Sequence, residues 1–316
     1  MPLLVFVGVV VLVLVGSGVA LGMSTGGTRS PESQRVAAVR GFFDALVAAD
    51  AARALSYAAT PPVDTSMLTD EVLAANQRLS PIADVVVTPS TYDQSVEVSY
   101  TVGGKPVVDQ YTTDSTTGEH KLRQVSNSVT FVLLDLHRLP LLANGVAVQG
   151  KQVELFPGSY ALTTGLPYVS WGDGSRVDIS VETGGTAPAL EPTVTAEGRR
   201  AFLAAAKKLV STCTARHRLD PSPGCPFGLR QPTSGPRVSE SSVRWQLKGD
   251  PWKPVADPEI SSFTGAGIAK ASTTMSFTCT CRFSTGQRCR PQDVTNAVTF
   301  AADVTEDRLT VRLAAF

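Results

Sequence analysis

The residue types from which most active sites are assembled are scarce in this chain. Among its 316 residues there are three histidines, His120, His137 and His217, which fall in three separate predicted units with no motif around them. Each reads as a surface or loop residue rather than a catalyst. There is no G-x-S-x-G elbow, no H-E-x-x-H pair and no phosphate loop; Gly265 to Lys270 is glycine-rich but lacks the Gly-Lys-Ser/Thr ending. Hydrolases and nucleotidases therefore lose their usual signatures. An excess of one charge is missing too, since Lys plus Arg (28) balances Asp plus Glu (28) and no basic stripe shows along the sequence. Without that electrostatic footprint nucleic acid is not an expected partner, and no cofactor or metal is expected either.

Charge is also absent from Pro2 to Met23, PLLVFVGVVVLVLVGSGVALGM. As a helix this run would be about 33 Å long, enough to cross a bilayer core of about 30 Å. The alternative is a cleaved signal peptide, with Gly18-Val19-Ala20 as its processing site. Signal peptides usually carry an apolar region of about 7–15 residues after a basic start. Here the run is longer and no Lys or Arg precedes it, which favours a retained anchor over residues 1–23. A Met-Pro start without a basic flank also fits a lost cytoplasmic leader. Arg29, Glu32 and Arg35 do not fix orientation, because long domains translocate largely regardless of flanking charge. Cysteine usage does bear on sidedness. All five cysteines (Cys213, Cys225, Cys279, Cys281, Cys289) lie in the last third at short spacings, as where local disulfides staple a domain in an oxidising compartment. The expectation is a single-pass plasma-membrane protein with residues 24–316 outside the cytoplasm. Its partners would be the membrane, through residues 2–23, and an envelope protein, wall or lipid component.

Residues 24–30 form a Gly/Ser/Thr tether. Pro31 opens a helical pattern in which Val36, Val39, Phe43, Leu46 and Val47 share one face. Shorter helices are expected over 51–59 and 69–78, then strands over 83–88, 95–102, 106–113 and 122–125, with Gly103-Gly104 as a hairpin turn. This order, with the run VAAVRGFFDALVAADAARALSY, resembles the cone-shaped fold of nuclear-transport-factor-like proteins over residues 31–126. The resemblance implies an enclosed pocket, for which Tyr57, Tyr100, Asp109 and Tyr111 are the ligand candidates. The same aromatics would equally serve to fill the cone.

Residues 128–190 contain short strand signals separated by Asn144-Gly145, Pro157-Gly158 and Asp173-Gly174 turns. The run NGVAVQGKQVELFPGSYAL resembles the small PEGA-like β-sandwich modules of bacterial surface proteins, in which Leu155, Phe156 and Tyr160 would be core; such modules are usually spacers. After a Gly/Pro linker, Thr195 caps a helix that places Phe202, Ala206, Leu209 and Cys213 on one face, and strands are expected over 243–247, 267–283, 297–304 and 308–313. The whole order, with ELFPGSYALTTG and the later TAEGRRAFLAAAKKLVSTC and GCPFG, is similar to actinobacterial membrane proteins related to the TcaA family. Members often carry a cytoplasmic zinc ribbon ahead of the membrane helix, which this chain lacks.

The expected fold class is therefore α+β. It comprises an N-terminal transmembrane helix (1–23), the tether (24–30), a cone-shaped helix-plus-antiparallel-sheet domain (31–126), a small β-sandwich (128–190) and a disulfide-bearing α+β domain (193–316). A cysteine on a buried helix face near a Pro-rich return loop predicts a Cys213–Cys225 disulfide. Cys279 and Cys281 share a strand face and cannot easily bridge each other, so one of the two is expected to pair with Cys289; Cys281, the nearer along the chain, is the favoured partner, which leaves Cys279 as a free thiol, buried or in a mixed disulfide. The competing arrangement is a zinc site of Cys279, Cys281, Cys289 and His217. No catalytic residue is assigned. The favoured function is a non-enzymatic envelope protein that binds envelope components or protein partners, and the alternative is a pocket enzyme, a hydrolase or isomerase, using Asp109.

Overall fold

The computed structural model describes residues 30–90, 95–115, 118–131, 139–172, 175–182, 185–186, 190–260 and 267–314. The apolar segment 2–23, most of the 24–30 tether, His137 and the Asp173-Gly174 turn lie outside them. Among the described residues no helix is long and apolar enough to cross a membrane. The chain is α+β, with mostly antiparallel sheets and two disulfides.

Three capped helices come first. In α1 (Pro31–Val47) the Ser30 hydroxyl accepts from the Ser33 amide at 3.2 Å, and Pro31 sits in the first turn, where no helical N–H is lost. Its buried face is Val39, Phe42, Phe43 and Leu46. Asp50 caps α2 (Ala51–Ser56) and Thr69 caps α3 (Asp70–Leu79). The second helix stops at Ser56, short of the expected Ala59, because Ala58 pairs instead with Leu122 in a parallel bridge. A four-stranded antiparallel sheet follows in the order β1 (Ile82–Pro89), β2 (Ser95–Val102), β3 (Lys105–Asp114), β4 (Lys121–Leu122). Alternation along β2 sends Val96, Val98, Tyr100 and Val102 to the inner face beneath α1.

Residues 127–194 form three small sheets. One has the order β12 (Gly185–Thr186), β5 (Asn127–Thr130), β8 (Gln152–Leu155). Another runs β11 (Arg176–Ile179), β9 (Gly158–Thr163), β6 (Leu142–Ala143), β7 (Val146–Ala147), and a third pairs β10 (Val169–Trp171) with β13 (Pro192–Val194). Gly158 is held at φ 148°, and a Cβ there would strike the side-chain amide of Asn76 on α3. Asn76 also accepts from the Ser159 amide at 3.2 Å, so helix and strand pack at glycine distance.

In the last unit α4 (Ala196–Thr214) lies on a five-stranded antiparallel sheet. The path is β14 (Arg244–Lys248), β16 (Ile268–Thr280), β17 (Gln292–Asp303), β18 (Val311–Leu313), with β15 (Glu259–Ile260) also on β16 and α5 (Trp252–Val255) beside it. The β17 strand begins at Gln292 rather than the expected Ala297. Its first residues are exposed or only half-buried and show no alternation, yet they pair residue for residue with β16, as Cys279 does with Gln292. Buried apolar residues from 129 to 311 make one continuous cluster, so the middle and last units share a core.

Candidate functional site

Of the four expected pocket residues the structure brings three together, in packed interior. Tyr100, Asp109 and Tyr111 are at most 2% exposed. Phe43 lies 4.9 Å from the Tyr100 ring and 5.5 Å from Tyr111, and Phe42 lies 5.8 Å from Tyr111. Tyr57 packs against the same cluster but is only partly buried, its hydroxyl pressed against Gly41 of α1, where a Cβ would not fit. The second unit reaches into the first, since Phe156 packs 6.4 Å from Phe42 and belongs to the first unit's core.

Both oxygens of Asp109 are engaged across that junction. Its Oδ2 accepts from the Tyr100 hydroxyl at 2.7 Å and the Val181 amide at 3.3 Å, and its Oδ1 from the Glu182 amide at 3.2 Å. The Tyr111 hydroxyl is buried with no hydrogen-bond partner among the described residues. Burial, and then the Asp109 carboxyl facing it, raises the Tyr100 phenol above its ordinary value. Burial does the same for Tyr111, with Tyr100 and Asp109 adding to it. The group is a buried junction clamp, with both carboxyl oxygens of Asp109 engaged.

In the last unit Cys213 is joined to Cys225 (Cα–Cα 5.6 Å) and Cys281 to Cys289 (5.2 Å), and Cys279 is a buried thiol. The paired sulfurs are not available as thiolate ligands. His217 turns its Nδ1 to the Val243 carbonyl at 3.1 Å and to Arg244. Among the described residues no group of three or more His, Cys, Asp or Glu could hold a metal. Burial, with Glu240 facing it, pushes the Cys279 thiol up to about 11.

A concavity lies between the first two units, a crevice of about 440 Å³. One wall is the end of α3 and the start of β3, including Leu79, Lys105 and Val108; the other is Gly158, Ser159 and the outer side of β11. Each of the two strands is the last of its sheet along the stretch that lines the crevice. Gly103 (φ 56°) and Gly104 (φ 80°) form the type I′ turn between β2 and β3, so Val102 and Lys105 bond each other. Antiparallel alternation then turns the backbone of Pro106, Val108 and Gln110 outward. On β11 the Ser175 carbonyl bonds the Leu162 amide, which by the same alternation turns Arg176 and Asp178 outward. Val108 is 53% and Leu79 57% exposed, and Lys105 has no partner among the described residues. Arg176 spans the two units, bonding Ser80 of the first and Ser159 of the second, with Asp178 at 3.7 Å.

None of the crevice residues stands out in the sequence. They come from four separate segments of the chain, and the available signals were the double glycine turn and the unpaired Pro-Val-Val of β3. Comparison with protein-family models, with curated proteins and with solved structures finds no match for this chain.

Proposed function

We propose that this is a non-enzymatic protein held in the plasma membrane by residues 2–23, whose units outside the cytoplasm bind envelope components. Its crevice between the first two units receives an extended segment of a partner protein. The observation that carries the reading is the pair of sheet edges bounding one opening, neither of them paired along that stretch among the described residues. A strand laid there gains main-chain hydrogen bonds from Val108 and Gln110, and alternate side chains find Leu79 and Val108 on one side and Lys105 on the other. An acidic side chain suits Lys105. Local disulfides support an oxidising compartment, and the uncharged N-terminal run supports the anchor. The engagement of both Asp109 oxygens weighs against the enzyme alternative.

A photo-crosslinking residue placed at Val108 in intact cells tests this. It should capture one envelope protein through a short peptide, while the same probe at Val63, which is fully exposed, should not. Adding Gln110→Pro, which removes an outward N–H, should abolish capture. Equal labelling from both positions, or capture indifferent to Gln110→Pro, would overturn the reading.

A further inference from the structure

A second concavity, of about 670 Å³, lies in the last unit between α4 and the segment leading into β18. Its floor is apolar, built from Ala205 and Leu209 of α4 and from Leu309 and Val311. Its polar wall has one sign. Lys208, Arg216 and Arg308 line it, and no Asp or Glu does, in a chain whose charges otherwise balance.

These three cations come from three separate places: the outer face of α4, the loop after it, and the turn before β18. Compensation of the helix macrodipole accounts for a basic residue near the end of α4 but not for Arg308. Lys208 and Arg308 are exposed, with no side-chain partner among the described residues, whereas the adjacent Lys207 is occupied over the Trp252 ring at 5.6 Å. Arg216 is held in place. Its Nη1 donates to the Pro221 carbonyl at 2.6 Å, and the Cys213–Cys225 disulfide pins the loop that carries it. A guanidinium has five N–H donors, so several remain for a ligand.

We propose that this trough binds an anionic lipid, with the headgroup phosphate between Lys208, Arg216 and Arg308 and the first acyl carbons on the Ala205–Leu209–Leu309–Val311 floor. The volume is that of a small-ligand site, about 300–1,000 Å³. Like charges held together over an apolar surface are relieved by an anion that carries an apolar tail, and neither a sugar nor a neutral lipid supplies both. This site is independent of the crevice between the first two units.

Native mass spectrometry of the full chain in a neutral detergent tests it with three probes. Lysophosphatidylglycerol should bind one to one. Monoacylglycerol, which keeps the tail, and glycerol phosphate, which keeps the charge, should each bind at least tenfold more weakly. Lys208→Gln and Arg308→Gln should each lower the lysophosphatidylglycerol affinity about fivefold, as for about 1 kcal/mol per basic residue near an anionic surface, and together about 30-fold. Both side chains are exposed and unpartnered, so the fold survives these changes. Ala204→Trp, which narrows the trough without altering charge, should lower affinity as well. Glycerol phosphate binding as tightly as the lipid, equal binding of the neutral analogue, or affinity unchanged in the double variant would each overturn the proposal.

Discussion

Two tyrosines on one sheet face should respond with opposite signs to the loss of the same atom. Tyr100 and Tyr111 are both buried against Phe43. The Tyr100 hydroxyl donates to Asp109 at 2.7 Å, while the Tyr111 hydroxyl has no partner among the described residues. Tyr100→Phe removes a hydrogen bond to a carboxyl group, at a cost of about 2 kcal/mol. Tyr111→Phe removes a phenolic oxygen that was dehydrated without compensation. It should stabilise the fold by about 1 kcal/mol, since relief of that desolvation outweighs the small void left. The two variants therefore differ by about 3 kcal/mol although each loses one oxygen. Urea unfolding followed by circular dichroism reads the difference. With a slope of about 1–3 kcal/mol per molar, the two midpoints should separate by about 1 M or more, one on each side of the parent. If both midpoints fall together, the Tyr111 hydroxyl has a partner and the account of this core is wrong.

Alkali should be unusually destabilising, because burial raises the phenols of Tyr100, Tyr111 and Tyr160 above their unfolded value of about 10. Below that pH these phenols are protonated in both states. Above it the unfolded chain releases three protons that the fold retains, so stability falls by about 4 kcal/mol per pH unit, and an ultraviolet titration should show these tyrosines ionising only with unfolding. Replacing Cys213 and Cys225 by Ser should cost about 3 kcal/mol by the chain-entropy estimate. Thiol counting on denatured, unreduced protein should find one thiol per chain, Cys279, which reacts slowly in the native state because its thiol is pushed up to about 11. Gly158→Ala should cost about 2 kcal/mol or more, since φ 148° and the Asn76 amide both oppose a Cβ, and limited proteolysis should then cut more readily around α3.

What was legible in the sequence was local. The Pro31 helix start, the alternation of Val96, Val98, Tyr100 and Val102, and the Gly103-Gly104 turn are each decided within a few residues, and the structure contains each of them. Cys213 reads as a buried helix position from its spacing to Phe202 and Ala206, and it is 3% exposed beside its partner Cys225. The concavities were not legible, because their walls are non-local. Val108 and Arg176 share a crevice although 68 positions apart in the numbering, and Lys208 meets Arg308 across 100. A basic stripe sought along the sequence misses three cations brought together by folding. The first residues of β17 were missed for a different reason: with neither face buried there is no alternation to read, and pairing with β16 alone specifies them.

The placement of the candidate site follows from how the first two units exchange core residues. Phe156 of the second unit is buried in the core of the first, and Met67 and Val72 of the first are buried in the larger cluster shared by the other two. Asp109 adds polar bonds to the Val181 and Glu182 amides in the same region. With its core filled in this way, the first unit keeps Tyr100, Asp109 and Tyr111 at most 2% exposed. The same interlock holds β3 and β11 on either side of a gap, each with one ladder of backbone groups facing outward. The filled interior of the first unit and the crevice outside it thus share one junction, where Phe156 packs beside Phe42. Phe156→Ala should loosen both, exposing the inner aromatic cluster while letting the crevice walls move apart.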